Sequence, residues 1–314
     1  MSKAVGIDFD YRDSKILFSD LAEKKISSFR VDSLSTPGAE TTPPSIVDVL
    51  KRNNSRSLIG MPEGIAYDWI SDTIYYADND LNQVVSYKIS TQMTYVLSYS
   101  ESPRAIVVHP CKGFVYWSDV GRRPMIARTS LAGSNFVKII STEIKWPNGL
   151  TIDFDDDKLY WADAFYDKIE SSNLEGNLRH VLTAAAFHPF AITLHSHFIY
   201  WSDWRTNSIY RAEKYRGSNT VALVQGLPKR PMDLHVWSEQ RQKCSYNPCL
   251  VFNGGCSHIC TVSPPGNKTE CRCPFGMRLR LANSDRTCAP LMVPRCNATQ
   301  FTCANGNCIR YYSD

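Results

Sequence analysis

No apolar stretch in this 314-residue chain approaches the ~20 residues a membrane-crossing helix requires. No apolar run follows Met1-Ser2-Lys3-Ala4, so the opening lacks the pattern of a secretory leader. Long runs of one charge are missing too. The chain has 35 basic and 31 acidic residues and a net charge of +4, without the concentrated basic stripe that nucleic-acid binding requires. Two catalytic signatures are also absent: no G-x-S-x-G elbow and no H-E-x-x-H zinc site occurs. Cysteine is nearly absent before residue 244, where Cys111 stands alone. The other ten of the eleven cysteines fall between Cys244 and Cys308.

That crowding marks a small module stapled by disulfides, because a short segment cannot bury enough apolar surface alone. Such bridges persist in oxidising compartments, which places the chain outside the cytosol. Three glycosylation sequons, at Asn53, Asn267 and Asn297, agree with this placement. Disulfides without a leader or anchor lead to the expectation that the chain is a piece of a longer, membrane-anchored parent, or the product of an incomplete gene model.

The first two thirds repeat. Phe18-Ser19-Asp20, Tyr75-Tyr76-Ala77-Asp78, Tyr116-Trp117-Ser118-Asp119, Tyr160-Trp161-Ala162-Asp163 and Tyr200-Trp201-Ser202-Asp203 align, with their aspartates 58, 41, 44 and 40 residues apart. Thr36 to Pro44 reads as a loop inserted in the long first gap. Pro62, Pro103, Pro147 and Pro189 precede the later motifs, and Pro231 continues the register. Within a repeat the alternation is that of β-strands. Residues 147–154 form one, Leu159-Tyr160-Trp161 the next, Ile169 begins a third and Val181-Leu182 marks a fourth. Four strands in roughly 40 to 45 residues is a propeller blade. Trp117, Trp161 and Trp201 then fill joints between blades, and Asp20, Asp78, Asp119, Asp163 and Asp203 accept backbone N–H bonds. A group repeated in every blade is structural rather than catalytic.

These motifs resemble the YWTD repeats (class B repeats) of the low-density lipoprotein receptor family, most closely its receptor-related branch. The resemblance covers about residues 4 to 238 and implies an all-β fold, a six-bladed propeller over residues 1–243. Only one strand, Met232 to Trp237, follows Pro231 before the cysteines, and the chain opens on the inner strand Val5 to Phe9. Three strands of one blade are therefore expected to be missing, leaving the ring unsealed.

Cys249, Cys256, Cys260, Cys271, Cys273 and Cys288 have gaps of 6, 3, 10, 1 and 14 residues, which fits an EGF-like module at 244–289. Six cysteines allow fifteen pairings. The resemblance implies Cys249–Cys260, Cys256–Cys271 and Cys273–Cys288, and extra-cysteine counterparts imply a fourth bridge, Cys111–Cys244, against the alternative of two free thiols. The spacing lacks the paired knuckles of a structural zinc site. Ser245-Tyr246-Asn247-Pro248 lacks the acidic cluster of calcium-binding EGF modules. Residues 290–314 resemble the first half of an LDL-receptor class A module. Calcium is expected only in its completed form in the parent, and this chain itself is expected to carry no metal or cofactor.

The resemblance implies an endocytic receptor segment at the cell surface and along the secretory and endosomal route. It would bind protein or lipoprotein ligands, with class A modules of the same receptor docking on the propeller in acidic endosomes. Histidine is the side chain that titrates there. His188, next to Pro189, and His195 and His197, in one short turn, are the candidate switch. An alternative is a protein-docking propeller of the matrix or Wnt co-receptor kind, using Arg122, Arg123, Trp204 and Arg205. A third reading, a metal-dependent hydrolase with ligands such as Glu63, Asn148 and Asp233, is rejected because Asn148 occupies the same repeat position as Glu63, Arg104 and Phe190. The chain is read as a binding protein and not an enzyme.

Overall fold

A computed structural model describes residues 3–31, 44–52, 59–183, 186–244, 246–274, 276–280 and 286–291, together with the backbone of 300–302 and 308–310. The sequon residues Asn53 and Asn297, Cys296, Cys303 and most of the inserted loop lie outside these residues. So does most of the 290–314 segment.

Twenty strands make five four-stranded antiparallel sheets, each ordered as in the chain. Blade one comprises β1 (Ala4–Asp10), β2 (Lys15–Asp20), β3 (Lys25–Arg30) and β4 (Val47–Lys51). Blade two comprises β5 (Pro62–Asp68), β6 (Thr73–Asp78), β7 (Gln83–Lys88) and β8 (Met93–Tyr99). In blade three are β9 (Pro103–His109), β10 (Phe114–Asp119), β11 (Met125–Ser130) and β12 (Val137–Ile140). Blade four holds β13 (Pro147–Asp153), β14 (Lys158–Asp163), β15 (Lys168–Asn173) and β16 (His180–Thr183). Blade five holds β17 (Pro189–His195), β18 (Phe198–Asp203), β19 (Ser208–Glu213) and β20 (Val221–Val224). The first strand of each blade lines a central channel, and the proline sits where no ladder bond is needed.

Among the described residues five four-stranded sheets form, not six. Met232 to Trp237, expected as a strand, has no regular pairing, because among the described residues no second strand lies beside it to complete a ladder. Its attachment to blade one uses side chains instead. The Ile7 N–H donates to Asp233 Oδ2 at 2.8 Å, and Trp237 packs on Phe9 and Tyr11.

Adjacent blades bury the repeated aromatics. Trp201, Ile192 and Leu194 of blade five pack on Tyr160 and Ala162 of blade four. Tyr75, Tyr76, Tyr116, Trp117, Tyr160 and Trp161 are fully buried, each contributing roughly 1.5–3 kcal/mol by burial. Their counterparts on either side of the incomplete seam, Phe18 and Tyr200, remain half-buried. Glycine allows the inner strands to meet near the channel: a Cβ on Gly64 would lie 2.3 Å from the Arg104 carbonyl oxygen.

Among the described residues, four disulfides join Cys111 to Cys244, Cys249 to Cys260, Cys256 to Cys271 and Cys273 to Cys288. The cysteine-rich segment carries two short hairpins, β21 (Ile259–Ser263) with β22 (Lys268–Arg272) and β23 (Met277–Leu279) with β24 (Cys288–Pro290). A last pair, β25 (Gln300–Thr302) and β26 (Cys308–Arg310), follows. Asn267 is exposed in the turn before β22. The segment seats on blade three, where Ser134 Oγ donates to Glu270 and Arg272 donates to the Ala132 carbonyl.

Candidate functional site

Each motif aspartate lies at the end of its blade's second strand and accepts bonds from two loops at once. Asp163 takes the N–H groups of Lys145 and Trp146 from the incoming connection and of Phe165 and Tyr166 from the motif turn. Asp78 does the same for Gly60, Met61, Asp80 and Leu81. Asp203 accepts from His188, Arg205 and Thr206. Asp119 accepts from Ser102 and Gly121 and from the Ser100 hydroxyl. Burial alone would raise the Asp20 carboxyl, but the Glu23, Lys3 and Ala22 N–H donors hold it below its usual range. These carboxylates fix the loops of one end of the ring and are not free to react.

On that end, blades four and five form a groove of about 480 Å³ lined by Phe165, Asp167, Phe187, His188, Trp204, Arg205 and Arg230, with Ala164 at its base. The His188 ring stacks on Trp204 at 5.9 Å, and Phe190 backs Trp204 at 3.8 Å. Trp204 is fixed further by donation from its indole N–H to the Pro231 carbonyl, 2.8 Å, while the Arg230 guanidinium covers its face. Trp146 extends the surface, edge-on to Phe165 at 5.3 Å and 6.4 Å from His188. Trp146, Phe165, Tyr166 and Phe187 are all exposed. Rigid aromatics beside Arg205 and Arg230 are suited to binding an acidic protein surface, since flat rings anchor and guanidinium groups pair with carboxylates.

The structure therefore brings His188, Trp204 and Arg205 together and separates the other candidates. His195 and His197 lie in the β17–β18 turn, at the opposite end of the ring from Asp203. Arg122 and Arg123 are exposed on blade three, outside the groove, with Arg122 paired to Glu101. Trp146, Phe165 and Arg230 were not singled out from sequence, although a signal existed. Trp146, His188 and Arg230 each immediately precede a proline of the repeat register, Pro147, Pro189 and Pro231.

Inside the channel, Arg104 donates to Glu63 at 3.0 Å and to Asn148 at 2.7 Å, and Asn79 donates to the other Glu63 oxygen. A guanidinium thus occupies the space between two of the residues weighed as metal ligands. Asp233, the third, accepts the Ile7 and Leu234 N–H groups and faces His235. His235 stands between Asp8 and Asp233, 3.7 and 3.9 Å away. Burial raises the Asp8 carboxyl to about 7 against the Tyr67 and Phe9 N–H bonds, and it raises Asp233 too. The same burial lowers His235. Among the described residues, no cluster of three His, Cys, Asp or Glu is arranged to hold a metal. Nor is any described helix long and apolar enough to cross a membrane.

Residues 113–154 match the low-density lipoprotein receptor repeat class B. The vitellogenin receptor Yl of Drosophila melanogaster is 32% identical over 222 residues, which is 69% of this chain and 11% of that receptor's length. Among solved structures, the nidogen/laminin complex superposes with a TM-score of 0.64 and 25% identity, covering 77% of this chain and 86% of the matched one. A gluconolactonase of Xanthomonas campestris reaches a TM-score of 0.60 at 12% identity, over 77% of this chain and 81% of its own. At that identity the likeness is one of fold alone.

Proposed function

Because the chain belongs to the low-density lipoprotein receptor family, we propose that it is a binding segment of an extracellular or cell-surface endocytic receptor. It holds protein or lipoprotein ligands and assists their release at endosomal pH. The observation that carries this reading is the groove in which His188 stacks on Trp204 between Arg205 and Arg230. An acidic class A module, complete with its calcium, fits that charge, and histidine is the residue type that adds to it in an acidic endosome. Phe18 and Tyr200, half-buried where their counterparts are sealed, support a sixth blade around residues 231–238. The pairing of Cys249 through Cys288 supports an EGF-like module.

The test is binding of a complete class A module to this chain at pH 7.4 and 5.5. Tighter binding at the acid value, abolished by His188→Ala, is the expected result; equal affinity at both values would sink the release role. A second reading, constitutive protein docking without endocytosis, draws on the likeness to the propeller in the nidogen/laminin complex and on the exposed Trp146 and Phe165. Catalysis is not part of either reading, since Arg104 already satisfies Glu63 and Asn148.

A further inference from the structure

His109 ends the inner strand of blade three and is 2% exposed, yet neither ring nitrogen has a hydrogen-bond partner. It lies edge-on to Phe154 at 5.0 Å. Phe154 is also contacted edge-on by Trp69 and covered by the Arg241 guanidinium. The nearest carboxylate, Asp157, is 3.5 Å from Nε2 and already holds Lys112 at 2.6 Å. The charged groups facing the imidazole are thus Asp157 from the β13–β14 turn, Lys112 from its own turn, and Arg241 from the segment that follows the fifth blade. A neutral imidazole is tolerated in this apolar layer, whereas an imidazolium needs water or a freed carboxylate.

The location matters as much as the burial. The His109 carbonyl accepts the Lys112 and Gly113 N–H bonds that shape the turn holding Cys111. The cysteine-rich module rests on this turn. A Cβ on Gly113 would lie 2.8 Å from the Val262 carbonyl oxygen, and one on Gly266 would meet the Cys111 carbonyl. Trp69, in the same layer as His109, donates its indole N–H to the Cys244 carbonyl.

We propose that His109 is an acid sensor in the joint between the ring and the cysteine-rich module, and that acidification loosens the module's seat by favouring a state in which this imidazole is ionised. The Cys111–Cys244 bridge stays closed, so the response is a local opening around it and not release of the module. Burial, opposed by Asp157, holds the imidazole down at about 4 in the closed joint. Its ordinary value in an opened joint is near 6.5. A lowered histidine stabilises the closed state fully above 6.5, and that contribution is lost as pH falls from 6.5 towards 4. Between pH 7.4 and 5.5 the open fraction should rise about tenfold.

The measurement is hydrogen exchange of the Lys112, Gly113 and Leu131 amides in the whole chain at both pH values, corrected for intrinsic rates. Wild type should open about tenfold more at pH 5.5, and His109→Phe, which keeps a flat ring without a proton, should open equally at both. A flat wild type, or a Phe variant as responsive as wild type, would overturn the proposal. Should the variant not fold, the imidazole of wild-type His109 can be titrated by NMR. A midpoint well below 6 supports the sensor, and an ordinary midpoint defeats it.

Discussion

The rings of His188 and Trp204 lie stacked, with centroids 5.9 Å apart and planes inclined by 19°. One residue ends the connection into blade five and the other begins its motif turn, and the Asp203 carboxylate receives backbone N–H bonds from both loops. The position of these half-buried rings is thus dictated by a buried carboxylate.

Replacing Trp204 by Ala removes the central ring of the groove along with its stack on Phe190 and its bond to Pro231. Affinity for a class A module should fall about 30-fold, or ~2 kcal/mol, as for a central interface aromatic. Calorimetric titration checks it. Arg122→Ala, outside the groove, should leave affinity unchanged.

Asp163→Ala removes a fully buried carboxylate and leaves four part-buried N–H groups without their acceptor. A loss of at least ~3 kcal/mol is expected in urea denaturation. Asp163→Asn keeps one carbonyl oxygen, which can serve Trp146, Phe165 and Tyr166, and should lose clearly less.

Reducing or replacing both Cys111 and Cys244 by Ser opens a loop spanning 133 positions of sequence. The chain-entropy model sets an upper value of about 5 kcal/mol for this bridge. Differential scanning calorimetry should show a markedly lower melting temperature. Proteolysis should begin near residue 244 before the blades are cut.

Asp8 gives a second pH signature, opposite in direction to that of His109. Its carboxyl is raised to about 7 by burial, so its stabilising contribution is fully present below its unfolded value near 3.8 and is lost as pH rises through 7. Asp8→Asn cannot ionise. Denaturation at pH 6 and pH 8 should show a smaller fall in stability for the variant than for wild type, with His235 still contributing its own opposing change.

Blade structure was legible because motif and proline recur together, which fixes both the strand period and the end at which each aspartate sits. The same register separates His188 from His195 and His197, since two strands run between a motif end and a β17–β18 turn; nearness in sequence had joined them. His109 was less accessible. Its sequence neighbours, Val108 and Pro110, say nothing of Phe154 and Asp157, which reach it from the next blade. The failed strand at Met232 to Trp237 has a related cause, as alternation describes a face but cannot supply a partner edge.

Residues 231–244 touch every blade. Asp233 and Gln242 bond blade one, Cys244 accepts from Trp69 of blade two and bridges to Cys111 of blade three, Arg241 binds blade four, and the Pro231 carbonyl holds Trp204 of blade five. During synthesis this stretch leaves the ribosome only after all five sheets. Each sheet can form as it emerges and pack on its neighbour, but the stretch that contacts all five at once arrives last, within fourteen residues. A ribosome paused before residue 231 would therefore carry a row of packed sheets in which blades one and five still lack the stretch that contacts both.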